Sequence, residues 1–166
     1  LEIARQNRSL LYDFNYSKVP PLVPRNMRFG IKGRTLHTGE VFEKLNRADA
    51  KKLVSTLRES GAESVAVCFL FSYLNPSHET MIAKLLAPLA VPVSLSHEIL
   101  SEFREFERTS TTVINAYVSP VMKRYISRLN RNRHSGDTLR IMQSNGGSIS
   151  AETAMKEPVR IILSGP

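Results

Sequence analysis

The 166 residues carry a net charge of +8, a pI near 9.9 and 42% apolar side chains. That argues against disorder and for one compact unit or two small lobes. No stretch approaches the roughly 20 consecutive apolar residues of a membrane helix. A single cysteine, Cys68, forbids an intrachain disulfide framework and leads us to expect a reducing, cytoplasmic setting.

In chain order, residues 10–16 read as a strand, and Pro20-Pro21-Leu22-Val23-Pro24 as a stiff extended connector. Residues 27–36 and 40–45 are the arms of an expected hairpin, with Gly39 supplying the permissive dihedrals of a tight reversal. Asn46 is placed to cap a helix in which Ala50, Leu53, Val54 and Leu57 recur at helical spacing, and Gly61 ends it. Residues 64–71 form the longest apolar run, expected to be a strand covered on both faces. Cys68 lies inside it, as packing and not as a reactive thiol.

Asn75-Pro76 opens a second helix, with Glu79 in its first turn and Met81, Ile82, Leu85 and Leu86 on its buried face. Pro88 and Pro92 close it. Residues 91–95 follow as a short strand, and 96–98 as a polar exit. A long helical stretch over 102–133 is interrupted at Ser119-Pro120, through which Ile114, Val118, Val121, Tyr125 and Leu129 keep an apolar stripe. Gly136 stops it. Residues 139–143 read as a strand, Gly146-Gly147 as a turn, 151–156 as a helix and 159–163 as a final strand. The fold class is α/β, a mixed sheet flanked by helices.

The basic surplus raises nucleic acid as a partner. Its densest cluster, Lys123, Arg124, Arg128, Arg131 and Arg133, lies along one exposed helix side without interleaved aromatics, which disfavours a stacking platform. A basic binding module for nucleic acid or protein is the runner-up reading. Residues 1–6 hold neither an initiator Met nor a signal-peptide pattern, and 164–166 are turn residues straight after a strand-like run. Both ends read as cut points within a longer chain.

Four strings resemble the hydantoinase A/5-oxoprolinase family: Ser72-Tyr73-Leu74-Asn75-Pro76-Ser77-His78-Glu79; Glu105-Phe106-Glu107-Arg108-Thr109-Ser110-Thr111-Thr112-Val113-Ile114-Asn115-Ala116-Tyr117-Val118; Ile141-Met142-Gln143-Ser144-Asn145-Gly146-Gly147; and Leu163-Ser164-Gly165-Pro166. The resemblance implies an actin-like (ribonuclease H-like) ATPase architecture. Residues 1–100 would end the N-terminal region and 101–166 begin the main domain, with the junction between about 101 and 119. It further implies ATP and Mg²⁺ as cofactors, a small lactam or imide as substrate, and a hydantoinase B-type subunit or domain as partner. A ketone carboxylase of the same family is the alternative.

The Gly-Gly-Thr phosphate loops and metal-binding aspartates that the resemblance calls for do not occur in the chain, and no P-loop replaces them. The 166 residues alone are therefore expected not to hydrolyse ATP. Phe71 stands where the family often has histidine. Ser144, Asn145, Gly146 and Gly147, just after a strand, and Ser164 and Gly165, after another, are the pocket candidates, since glycine lets backbone donors approach a phosphate or carbonyl closely. Glu105, Arg108 and Thr109, at the start of a helix, are the catalytic candidates, set against plain capping and a surface ion pair. Asn115 and Tyr117 are assigned to helix packing. His78 and Glu79 diverge on a helix and make no metal pair, so no metal site is assigned. His37, His97 and His134 are given no role.

Overall fold

The computed structural model describes Tyr12, Asn15 and residues 20–132, 134 and 137–162. Most of the strand expected at 10–16, the stop at Gly136, and Ser164 and Gly165 lie outside them. The elements run β1 (Arg34–Thr35), β2 (Val41–Glu43), α1 (Arg47–Glu59), β3 (Val65–Val67), α2 (Ser77–Leu86), β4 (Val93–Leu95), α3 (Ser96–Ile99), α4 (Glu105–Arg131), β5 (Arg140–Met142), β6 (Ser148–Ser150) and α5 (Ala151–Lys156), with 3-10 turns at Arg25–Met27, Ala87–Leu89 and Pro158–Arg160. The strands make three two-stranded ladders, β1-β2 and β5-β6 antiparallel, β3-β4 parallel. The α/β class holds, but the single mixed sheet is divided among the described residues. No helix among them is long and apolar enough to cross a membrane.

Local chemistry accounts for much of this. Gly39 takes φ +86 in the β1-β2 turn, a region costly for any side chain with a Cβ. Asn46 Oδ1 accepts from the amides of Ala48 (2.8 Å) and Asp49 (3.3 Å), filling donors that the first turn of α1 leaves open. Val65, Ala66 and Val67 pair with Val93, Ser94 and Leu95. A parallel pair needs a crossover, which α2 and its 3-10 extension supply.

The first core gathers Leu45, Val54, Leu57, Val67, Ile82, Leu86 and Leu95; a second, smaller one gathers Ile126, Ala151, Ala154 and Ile161. Helix α4 spans both, packing on β3 and β4 early and on α5 and the Pro158–Arg160 turn late.

The structure departs from the expected elements at several places. The strand over 64–71 stops at Val67, because the Phe69 backbone is bonded by side chains and Phe71 adopts φ +57. The run 159–163 is not a strand where described. Pro158 opens a 3-10 turn there, and Val159 donates its amide to Asn115 Oδ1 (3.1 Å). The polar exit at 96–98 is the short helix α3, and β6 follows the Gly146-Gly147 turn unforeseen.

Pro120 does not interrupt α4, which runs unbroken through it, although an interior proline removes one helical bond and costs about 3 kcal/mol. Tertiary contacts on both sides hold the helix. Its buried row is Arg108, Thr112, Asn115, Ser119 and Ile126, whereas Val121, Tyr125 and Leu129 of the expected apolar stripe are exposed. Small hydroxyls and an amide let α4 lie close to β3 and β4, where large apolar side chains would hold it away.

Candidate functional site

Strands β3 and β4 end side by side, and the segments leaving their carboxyl ends carry a buried polar cluster, the position where open α/β folds place ligands. Glu79, fully buried on α2, reaches it. Its Oε1 accepts from the Phe69 amide (2.9 Å) and the Ser96 hydroxyl (2.6 Å). Its Oε2 accepts from the His97 amide (3.1 Å) and lies 2.7 Å from His97 Nδ1. Facing an acceptor oxygen, Nδ1 carries the ring proton. Because Ser96 has given its only proton to Glu79, Ser72, 2.9 Å away, must be the donor in the Ser72–Ser96 bond.

Arg108 closes the other side. Only 1% exposed, it donates to the carbonyls of Glu102 (2.6 Å) and Phe69 (3.0 Å), and its guanidinium lies 5.4 Å from the Tyr73 ring centroid. Its Nε is buried without a hydrogen-bond partner. One residue, Phe69, thus donates its N–H to a carboxylate while its carbonyl accepts from a guanidinium. Burial pushes the Cys68 thiol up to about 11, helped by the charge of Glu79 and opposed by the Thr109 and Thr112 hydroxyls and by Arg108. The thiol is neutral and inert near neutral pH. His78, its ring tilted 58° against Phe69 with centroids 5.5 Å apart and with both ring nitrogens buried and unbonded, is held below the ordinary imidazole value by burial.

The catalytic candidates are not brought together. Glu105 is exposed on the first turn of α4, while Arg108 and Thr109 are buried. Arg108 is buried and not a surface ion-pair partner, and its two terminal nitrogens bond backbone carbonyls while Nε is left without a partner. Asn115 is buried as helix packing requires, but its amide does more, donating to Ser94 Oγ (2.9 Å) and the Lys156 carbonyl (3.2 Å) while Oδ1 receives Val159. Tyr117 is 62% exposed.

Ser144, Asn145, Gly146 and Gly147 form the exposed tip of the β5-β6 hairpin, with Gly146 at φ +91 and Gly147 at φ +76. The Ser144 amide donates to Arg160 O (2.7 Å), the Gly146 amide to Gln143 O (3.1 Å), and the Gln143 amide to Gly147 O (3.1 Å). The tip is open to solvent. A cavity of about 640 Å³ lies elsewhere, between Arg47 of α1 and Ser77, Thr80 and Lys84 of α2. Among the described residues no three His, Cys, Asp or Glu could hold a metal ion.

Sequence reasoning missed the roles of His97 and Ser72, whose partners stand far off in the chain. The signal available for Glu79 was its place in a helix's first turn, which explains a carboxylate there but not its burial.

A family model described as hydantoinase/oxoprolinase N-terminal region matches residues 1–89, and one described as hydantoinase/oxoprolinase matches 108–166. The chain is 38% identical to the caprolactamase subunit alpha of Pseudomonas jessenii over 93% of its own length and 23% of that subunit's. It resembles the crystal structure of the ATP-dependent caprolactamase of that organism with a TM-score of 0.78 at 37% identity, covering 90% of this chain and 22% of that one. A nucleotide-free acetone carboxylase structure matches with a TM-score of 0.79 at 28% identity, covering 91% and 22%. The chain thus spans less than a quarter of the length of these relatives.

Proposed function

Because this chain belongs to the hydantoinase/oxoprolinase family, we propose that the protein containing it couples ATP to the opening of a cyclic amide, and that these residues form part of the cleft wall. The observation that carries the reading is the likeness to the ATP-dependent caprolactamase, at 37% identity and a TM-score of 0.78. In this reading residues 1–100 end the N-terminal region and 101–166 open the main domain.

An amide carbonyl resists water because resonance spreads its carbon's electron demand onto nitrogen. Transfer of the γ-phosphoryl group of ATP to the carbonyl oxygen turns that oxygen into a leaving group. Water then adds to the carbon, the C–N bond breaks to give a free amine and an acyl phosphate, and a second water cleaves that mixed anhydride to the carboxylate and inorganic phosphate. Such transfer depends on positioning and charge neutralisation. The chain contains no Gly-Gly-Thr phosphate loop, so in this reading Mg²⁺ and the ATP phosphates would be held mainly elsewhere in the protein. What this chain supplies is a rigid frame, the clamp of Glu79 and Arg108 on Phe69 and the Asn115 bridge, carrying an open hairpin tip. Relatives named as subunits, caprolactamase alpha and acetone carboxylase beta, support a hydantoinase B-type partner subunit or domain.

The acetone carboxylase likeness favours ketone carboxylation as a second reading. Phosphate release by the full-length protein with Mg²⁺ and ATP, assayed against caprolactam, hydantoin, 5-oxoproline, and acetone with bicarbonate, separates the two. Stimulation by a cyclic amide is expected. Stimulation by acetone alone would replace the first reading with the second, and release indifferent to all four would overturn both. The 166 residues alone are expected to release none.

A further inference from the structure

Helix α4 has a second face that the described residues leave bare. Opposite the buried row that starts at Arg108, Tyr117, Val121, Tyr125 and Leu129 recur every fourth residue and are 62%, 59%, 56% and 39% exposed. At roughly 100° per residue they fan over about a third of the helix circumference, and at about 1.5 Å per residue they run about 18 Å along it. Single exposed apolar side chains need no explanation, but a contiguous row does.

Charge and size narrow what could cover it. Exposed Arg124, Arg128 and Arg131 border the row, and from Arg108 to Asn132 the chain holds no Asp or Glu. A complementary surface would be apolar at its centre and edged by carboxylates. Four half-exposed side chains offer on the order of 400 Å², about half of the roughly 800 Å² per partner that a free-standing interface buries. A tether removes that shortfall, because it raises the local concentration of a covalently linked segment to the millimolar range.

We propose that this face seats an acidic-edged amphipathic segment of the same polypeptide lying outside residues 1–166. The inference rests on the reading that these residues belong to a longer enzyme, consistent with their covering only 22% of the solved caprolactamase chain. The bare row is then the inner side of a helix sandwiched between two layers.

The test uses the full-length protein with Tyr125→p-benzoylphenylalanine, irradiated and analysed by denaturing gel and peptide mass mapping. An adduct that keeps the single-chain mass and joins position 125 to a segment outside 1–166, with Asp or Glu flanking apolar residues, is expected. An adduct joining two copies, one joining a different subunit, or no adduct together with unprotected amide exchange over 117–129 would each overturn the proposal. As a second measurement, Arg124→Glu with Arg128→Glu should speed amide exchange over 117–129 about tenfold, while the corresponding Lys pair should leave it within about twofold. Equal behaviour of the two pairs would overturn the charge argument. A single-chain adduct in a protein whose phosphate release ignores every cyclic amide would sink the activity and keep this inference; lactam-dependent release with a two-chain adduct would do the reverse.

Discussion

Phe69 is held at its N–H and its carbonyl by side chains of opposite charge, Glu79 and Arg108, and removing either strands buried polar groups. Glu79→Ala leaves the Phe69 amide, the Ser96 hydroxyl and the His97 ring without their acceptor, and should cost about 3 kcal/mol or more in chemical denaturation. Glu79→Gln, which keeps one acceptor oxygen, should cost less. Two titrations bracket the stability of the same region. Cys68 is raised to about 11, so only the unfolded chain ionises as pH passes 9. Its contribution is complete below 9 and is lost as pH rises through about 11, at most about 3 kcal/mol for a shift of this size. His78 is lowered, so below about 6.5 the unfolded chain binds a proton that the fold refuses, and stability falls as pH falls. Cys68→Ala and His78→Leu should flatten the alkaline and the acid slopes respectively when denaturation midpoints are compared across pH. At the hairpin tip, Asn145→Ala in the full-length protein should lower substrate-stimulated phosphate release by at least about tenfold with little change in melting temperature. Unchanged release would remove the tip from the cleft.

Helix α4 is the element that joins the cores, and Asn115 is its rivet, tied to β4 on one side and to the end of α5 and the turn beyond it on the other. Asn115→Ala should cost about 2–3 kcal/mol, because one buried and two part-buried hydrogen bonds are lost. Amide exchange should rise in 151–161 as well as in 93–95; a rise confined to one side would show that the bridge is not shared. The position of Asn115 on a packed helix was legible in the sequence, but its bridging role was not, since nothing local links it to Ser94 and Lys156. The two rows of α4, one buried and mostly polar, the other apolar and exposed, show the same divide. Periodicity gave a helix and grouped Val121, Tyr125 and Leu129 along one stripe, but helical spacing says which residues share a face and not which face meets a partner.

Across the whole molecule, the α/β class, the cap at Asn46, the turns at Gly39 and Gly146-Gly147, and helices α1, α2 and α5 could be read from the chain within a residue or two. These are decided by neighbours in sequence: a side chain bonding an amide two or three residues on, a backbone angle that glycine alone adopts cheaply. The family could also be read, because its strings are contiguous. Three features required the tertiary structure. They are the early end of β3, the burial of Glu79 and Arg108 around one residue, and the row of α4 left bare. Each turns on groups 10 to 40 residues apart finding or lacking one another, and that choice is made by packing and desolvation over the whole fold, which no local pattern encodes.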